Sequence, residues 1–135
     1  MPGGARVIVA PMPSTVPPRF DYGAAFSRNI GWVTATEQQR LGGARVAIAG
    51  MGGVGGGHLL TLARLGVGRF NIADLDRFEV HNFNRQAGAF MSTAGQEKVD
   101  VMARMARDIN PTLEINSFSC GVTPDNVDAF LDGVD

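Results

Sequence analysis

The stretch "ARVAIAGMGGVGGGHLLTLARLGVGRFNIAD", Ala44 to Asp74, decides the fold. Residues 44–49 form a nearly continuous apolar run rich in β-branched side chains, the composition of a strand buried on both faces. Six glycines follow within eight residues. Leu59, Leu62, Ala63 and Leu65 then recur at helical spacing, predicting a helix from His58 that stops at Gly66 and Gly68. Residues 69–73 predict a second strand, closed by Asp74. Strand, glycine loop, helix and strand in about thirty residues make a βαβ unit, whose crossover is right-handed and whose strands are parallel.

The pattern continues on both sides. Upstream, Thr34 and Glu37 have the spacing of a capping box, predicting a short helix over 35–41 that ends at Gly42 and Gly43. Trp32 is expected to pack as its anchor. Downstream, a polar and aromatic loop leads to a helix over 94–108, with Thr93 and Gln96 as its capping box and Val99, Met102, Ala103 and Ala106 as its apolar stripe. Pro111 stops it. Residues 113–118 predict a third strand, and "TPDNVDAFLDG" a third helix with Thr123 at the N-cap and Pro124 at N1. The fold class is α/β: the N-terminal half of a Rossmann-like, doubly wound parallel sheet with strand order 3-2-1 in a three-layer αβα arrangement. Two regions are expected, an extended arm over 1–25 and the nucleotide-binding domain over 26–135. The pattern ends where a fourth strand would pair with the first, so the chain reads as truncated at its C-terminus, with residues 133–135 as the lead-in to that strand.

The chemistry lies in the loops. Gly50, Gly52 and Gly55 fit the G-x-G-x-x-G spacing, after a predicted strand and before a predicted helix, as the dinucleotide fingerprint demands. The first N–H groups of that helix lack internal partners and carry partial positive charge, so they favour phosphate. Asp74, about twenty residues on, stands where an acid accepts hydrogen bonds from ribose hydroxyls. Up to this point NAD and ATP are equally served. The next loop, "DLDRFEVHNFNRQ", then Lys98, supplies cations that a hydride-transfer site does not need. Breaking a phosphoanhydride does need donors aimed at charge developing on the phosphates. Lys98 also sits in the first turn of its helix, where a cation is unfavourable unless an anion is bound.

Composition narrows the setting. The 135 residues are 44% hydrophobic with a net charge of −1, enough for one modest core and without bulk attraction for nucleic acid or anionic membranes. One cysteine, Cys120, excludes an internal disulfide, offers no zinc spacing, and is expected to be structural. The N-terminal apolar run over 7–10 is too short for a signal sequence or a membrane span. A cytoplasmic protein is expected. His58 is expected to be solvated, and His81 to pack within its loop.

The ordered series "GMGGVG", "DLDRFEVHNFNRQ", "GQEKV" and "INP" resembles the ThiF/MoeB family, relatives of the adenylation domain of ubiquitin-activating enzymes. The likeness covers residues 26–135 and accounts for Gly53, since that family's loop is G-x-G-G-x-G. It implies an ATP-dependent enzyme that activates a carboxylate as an acyl adenylate. That carboxylate belongs to the C-terminus of a ubiquitin-like or sulfur-carrier protein, to a peptide, or to a modified tRNA base. It implies that Asp74 binds the ribose and that Asp76 lies close to the nucleotide. Asn82, Arg85 and Lys98 would hold the phosphates, with Gln86 beside them. "FSRNI" resembles the family's R-x-x-R-Q element, with Ala25 for the first Arg and Asn29 for the Gln, and puts Arg28 in the ATP site of a second subunit of a homodimer. The family's Mg-coordinating aspartate would fall beyond Asp135. Two other readings stand beside it: an NAD-dependent oxidoreductase, and a non-catalytic dimerising partner of an activating enzyme.

Overall fold

Strand β1 (Arg45–Ala49) pairs in parallel with β2 (Arg69–Ala73), and β2 with β3 (Glu114–Phe118), giving the sheet order β1-β2-β3. This is the expected 3-2-1 order of a Rossmann-like half. The computed structural model describes residues 17–135; the expected arm lies outside the described residues as far as residue 16. Its described part closes with a helical turn, α1 (Tyr22–Ala25), followed by a 3-10 turn at Ser27–Asn29. No described helix is long and apolar enough to cross a membrane.

Alternation along the strands sorts the two faces of the sheet. Phe70 and Ile72 are fully buried and join Leu59, Ala63, Val99, Met102 and Ala106 in one apolar cluster. That face carries α3 (Gly55–Leu65) and α4 (Lys98–Ile109). Asn71 points to the other face, where its amide donates to the Phe130 carbonyl (2.8 Å) of the short helix α5 (Val127–Leu131), and Phe118 meets Phe130 edge to face. Arg45, almost fully buried, donates to Asn71 Oδ1 (2.9 Å) and pairs with Glu114. Ala44 faces β2, so Arg45 turns its backbone to the opposite edge of β1, where it exchanges hydrogen bonds with Asp135.

The capping box at Thr34 and Glu37 is present and opens α2 (Ala35–Gly43). Hydrogen bonds from the Thr34 backbone and hydroxyl hold the Glu37 carboxyl below its usual range. Other expectations need correction. Helix α3 begins at Gly55, three residues before His58, because Gly55–Gly57 are helical yet carry no side chains for periodicity to register. Helix α4 begins at Lys98 rather than near Ala94. Gly95, at φ +86°, breaks any earlier start, and the Thr93 hydroxyl turns back to Gly88 and Phe90 instead of capping forward. Thr123 does not cap α5 with its side chain: Asn126 Oδ1 accepts from Thr123 N (2.7 Å), and the helix waits until Val127. Trp32 is not an anchor, being 93% exposed. Gly31, at φ +114°, turns the chain there, and Tyr22 and Gln38 hold α2 instead.

Candidate nucleotide site

The glycine loop is built around one close approach. A Cβ on Gly55 would lie 1.8 Å from the Gly50 carbonyl oxygen, so only glycine lets α3 start against the strand it follows. Gly50 takes φ +96°, a left-handed turn off β1 that favours glycine. Gly53 answers a different neighbour: its Cβ would sit 3.2 Å from the Arg85 carbonyl oxygen, which ties the family's extra glycine to the approach of the second loop. Nothing around Gly57 requires glycine. The N–H groups of Gly52, Gly53 and Gly55 have no acceptor among the described residues. They form an uncapped donor group at the positive end of α3.

Asp74 joins the two loops. One carboxylate oxygen accepts from Met51 N (2.7 Å) and the other from Asp76 N (2.8 Å). Each oxygen keeps a further lone pair.

The second loop is fastened at its base. Phe78 is fully buried, its N–H donating to Gln96 O (2.9 Å) while its carbonyl accepts from Gly95 N (2.8 Å). Lys98 N donates to Asp76 O (3.1 Å), and Arg77 pairs with Glu97 (3.0 Å). This pairing delivers Lys98 to the loop at the first residue of α4. The Lys98 side chain is 8% exposed, and its ammonium lies 5.7 Å from the Phe78 ring centre. Its acidic neighbour, Asp76, is 3.9 Å away and itself 62% exposed. A buried cation at the positive end of a helix, with a loose counter-ion and no hydrogen-bond acceptor among the described residues, is poorly compensated.

Asn82 is buried and locks its turn by accepting from Glu79 N through Oδ1 (2.9 Å). Gln86 is buried beside Gly52, and its Oε1 has no partner among the described residues. Arg85 is exposed, donating to His81 O (3.1 Å) and Asn84 Oδ1 (3.0 Å).

Asp76, Asn82, Arg85, Gln86 and Lys98 therefore line one polar pocket of about 280 Å³. Arg77, Glu79 and His81 complete it; sequence reasoning gave Arg77 and Glu79 no role and expected His81 only to pack. Their charge in a loop without periodicity gave no signal beyond proximity to Asn82. His81 is exposed, so it does not pack within the loop as expected. His58 is exposed as expected. Cys120 is exposed too, its Sγ accepting from Asn126 Nδ2 at 3.3 Å.

Arg28 is not brought to this pocket. Its neighbour Asn29 donates to Leu65 O (3.1 Å), which sets the turn at the C-terminal end of α3. The glycine loop is at the other end, roughly 16 Å away for a helix of this length.

The ThiF family model matches residues 26–135. The tRNA threonylcarbamoyladenosine dehydratase of Bacillus subtilis is 40% identical over 107 residues, covering 79% of this chain and 42% of that protein. Its namesake in Escherichia coli is 38% identical over 93 residues, covering 69% and 35%. The solved structure of the E. coli tRNA N6-threonylcarbamoyladenosine dehydratase, TcdA, in complex with ATP matches with a TM-score of 0.77 at 33% identity, covering 81% of this chain and 45% of that one. The chain thus spans less than half the length of these relatives. The glycine loop, the second loop bound to it through Asp74 and the lysine at the head of α4 occur in one domain with that family match, and the chain belongs to the ThiF family.

Proposed function

We propose that the pocket binds ATP and that the chain is the nucleotide-binding part of an enzyme that activates a carboxylate as an acyl adenylate. The observation that carries this is Lys98, a buried ammonium with one loose acidic neighbour, at the head of a helix and beside a pocket that also holds Arg85. Polyphosphate is the anion that such a cation lacks. In the reaction a carboxylate oxygen attacks the α-phosphorus, the bond from that phosphorus to the bridging oxygen breaks, and pyrophosphate leaves with the electron pair. Gly50, Gly52, Gly53 and Gly55 hold phosphate through the loop, Asp74 takes the ribose, and Asn82, Arg85 and Lys98 neutralise the phosphates. Asp76 and Gln86 order the pocket around them. These groups position and stabilise charge, and the step needs no covalent nucleophile.

Mg²⁺ would neutralise charge on the nucleotide's phosphates, with the family's aspartate ligand expected beyond Asp135. Arg28, at the far end of α3, would serve the pocket of a second copy in a homodimer. Of the carboxylates open to it, the one on a modified tRNA base is supported by the relatives named for threonylcarbamoyladenosine. That base carries a free threonine carboxylate, and a loss of water there requires a carboxylate oxygen to become a leaving group, which adenylation achieves.

The test is calorimetric titration of the chain with ATP and with NAD, repeated on Arg85→Ala and Lys98→Ala. ATP should bind in preference, weakened by about 1.5–3 kcal/mol for each charge-assisted contact removed. Preference for NAD, indifferent to both substitutions, would instead assign the pocket to a redox cofactor.

A further inference from the structure

We propose that a second copy of this chain docks on the outer face of α3 and α4, about a twofold axis that pairs Arg64 of each copy with Asp108 of the other. The inference names the face of the homodimer proposed above and rests on that reading. A groove of about 560 Å³ runs between the two helices near their C-terminal ends, lined by Leu60 and Arg64 from α3, Met105, Asp108 and Ile109 from α4, and Phe26. A second, of about 500 Å³, adjoins it, with Met105 and Asp108 lining both. Leu60, Met105 and Ile109 are half-buried, each packing one side on the core and leaving the other in the groove.

The charges on this face decide what fits it. Asp100, Arg104 and Asp108 recur every four residues of α4, opposite the buried Val99, Met102 and Ala106. Arg104 turns back to Gln96, and Arg107 donates to Ile115 O (3.4 Å). Arg64 and Asp108 have no ion-pair partner among the described residues, since they stand on different helices with the groove between them. A twofold axis through the groove sets Arg64 against the partner's Asp108, and Asp108 against the partner's Arg64. One surface thus carries both halves of two reciprocal pairs, which is charge complementarity to itself. A ligand of a single sign would meet a like charge on one of the two helices.

The same axis reverses the helices. The partner's α3 and α4 run on past the C-terminal end of α3, toward their own glycine loop and Lys98. Arg28 stands at that end, in the turn that Asn29 holds to Leu65 O. Arg28 is therefore on the partner's side, although its own pocket is at the far end of the helix. Ile30 and Trp32, 51% and 93% exposed, belong to the same turn and are apolar surface for the partner to cover.

Sedimentation equilibrium over a concentration series tests this with the full chain, with Arg64→Asp and Asp108→Arg separately, and with the two variants mixed. Circular dichroism confirms that each protein is folded. The unaltered chain should dimerise. Each variant alone places two like-charge contacts in its symmetric dimer, which should raise the dissociation constant at least about tenfold. The mixture should recover association, because one variant is acidic at both positions and the other basic. A dimer indifferent to both substitutions overturns this face and leaves the homodimer standing. Association that is weakened but not restored by mixing also overturns it, since the pairs would not be reciprocal. A chain that is monomeric at every concentration overturns both the face and the homodimer.

Discussion

The two ends of α3 are finished in opposite ways. At the C-terminal end the carbonyls of Leu62, Ala63, Leu65 and Gly66 all have partners supplied by the protein. Gly66 takes φ +93°, Gly66 N and Val67 N return to Ala63 O and Leu62 O, and three side chains serve Leu65 O and Gly66 O. Tyr22 donates to Gly66 O (2.5 Å), while Gln38 and Asn29 both donate to Leu65 O, at 3.0 and 3.1 Å. At the N-terminal end the N–H groups of Gly52, Gly53 and Gly55 find no protein acceptor among the described residues, and no side chain caps the helix. One helix thus separates what stabilises the fold from what is left for a ligand. An end completed from within is structural, and an end kept open beside a poorly compensated lysine is functional.

The largest expected effect comes from closing the open end by force. Gly55→Ala puts a Cβ 1.8 Å from a backbone carbonyl oxygen that cannot move without undoing the turn at Gly50. We expect a loss of at least about 3 kcal/mol in stability, beyond the 1–3 kcal/mol typical of core overpacking, together with loss of nucleotide binding. Urea unfolding and ATP titration would check both. Gly57→Ala, at a position with open space, is the control and should leave both nearly unchanged.

Opening the closed end comes next. Gln38→Ala removes a buried amide that donates to Leu65 O and to the Tyr22 hydroxyl and accepts from Asn29. Groups left unsatisfied there cost about 2–3 kcal/mol, read as a lower urea midpoint at unchanged slope. Nucleotide affinity should hold, since the pocket lies at the other end of α3. A drop in affinity as large as that from Lys98→Ala would mean that the two ends are coupled, and the division between them would fail.

Much of this arrangement was legible in the sequence, for reasons that also explain what was not. The βαβ unit showed itself because burial on both faces demands apolar runs and because a close approach such as Gly55 to Gly50 demands glycine. The capping box at Thr34 was visible because cap and partner are three residues apart. The same signal misled at Thr93, where Gly95 had already placed the break, as did the threonine–proline pair at Thr123; each threonine joined a local turn before any helix began. Trp32 was misjudged on size alone; a turn at Gly31 presents it outward. Asp76, Asn82, Arg85, Gln86 and Lys98 were found by motif and do meet in one pocket. That Arg77 holds Glu97, and so the head of α4, depends on a pairing across about twenty residues of loop that no local pattern records.

The smallest effect separates the two ends most sharply, because its sign differs. Lys98→Met keeps the stem length and its packing over Phe78 but removes an ammonium held at the positive end of a helix with Asp76 3.9 Å away. A buried charge that is poorly paired and opposed by the helix dipole does not stabilise the free protein, so its removal should leave stability unchanged or raise it by up to about 1 kcal/mol. With saturating ATP the order should reverse, because bound ligand stabilises the unaltered chain in proportion to its occupancy. Thermal unfolding of both proteins with and without ATP would show the crossing. If Lys98→Met destabilises the free chain as strongly as Gln38→Ala, the ammonium belongs to the structure, and the pocket needs another source of phosphate charge.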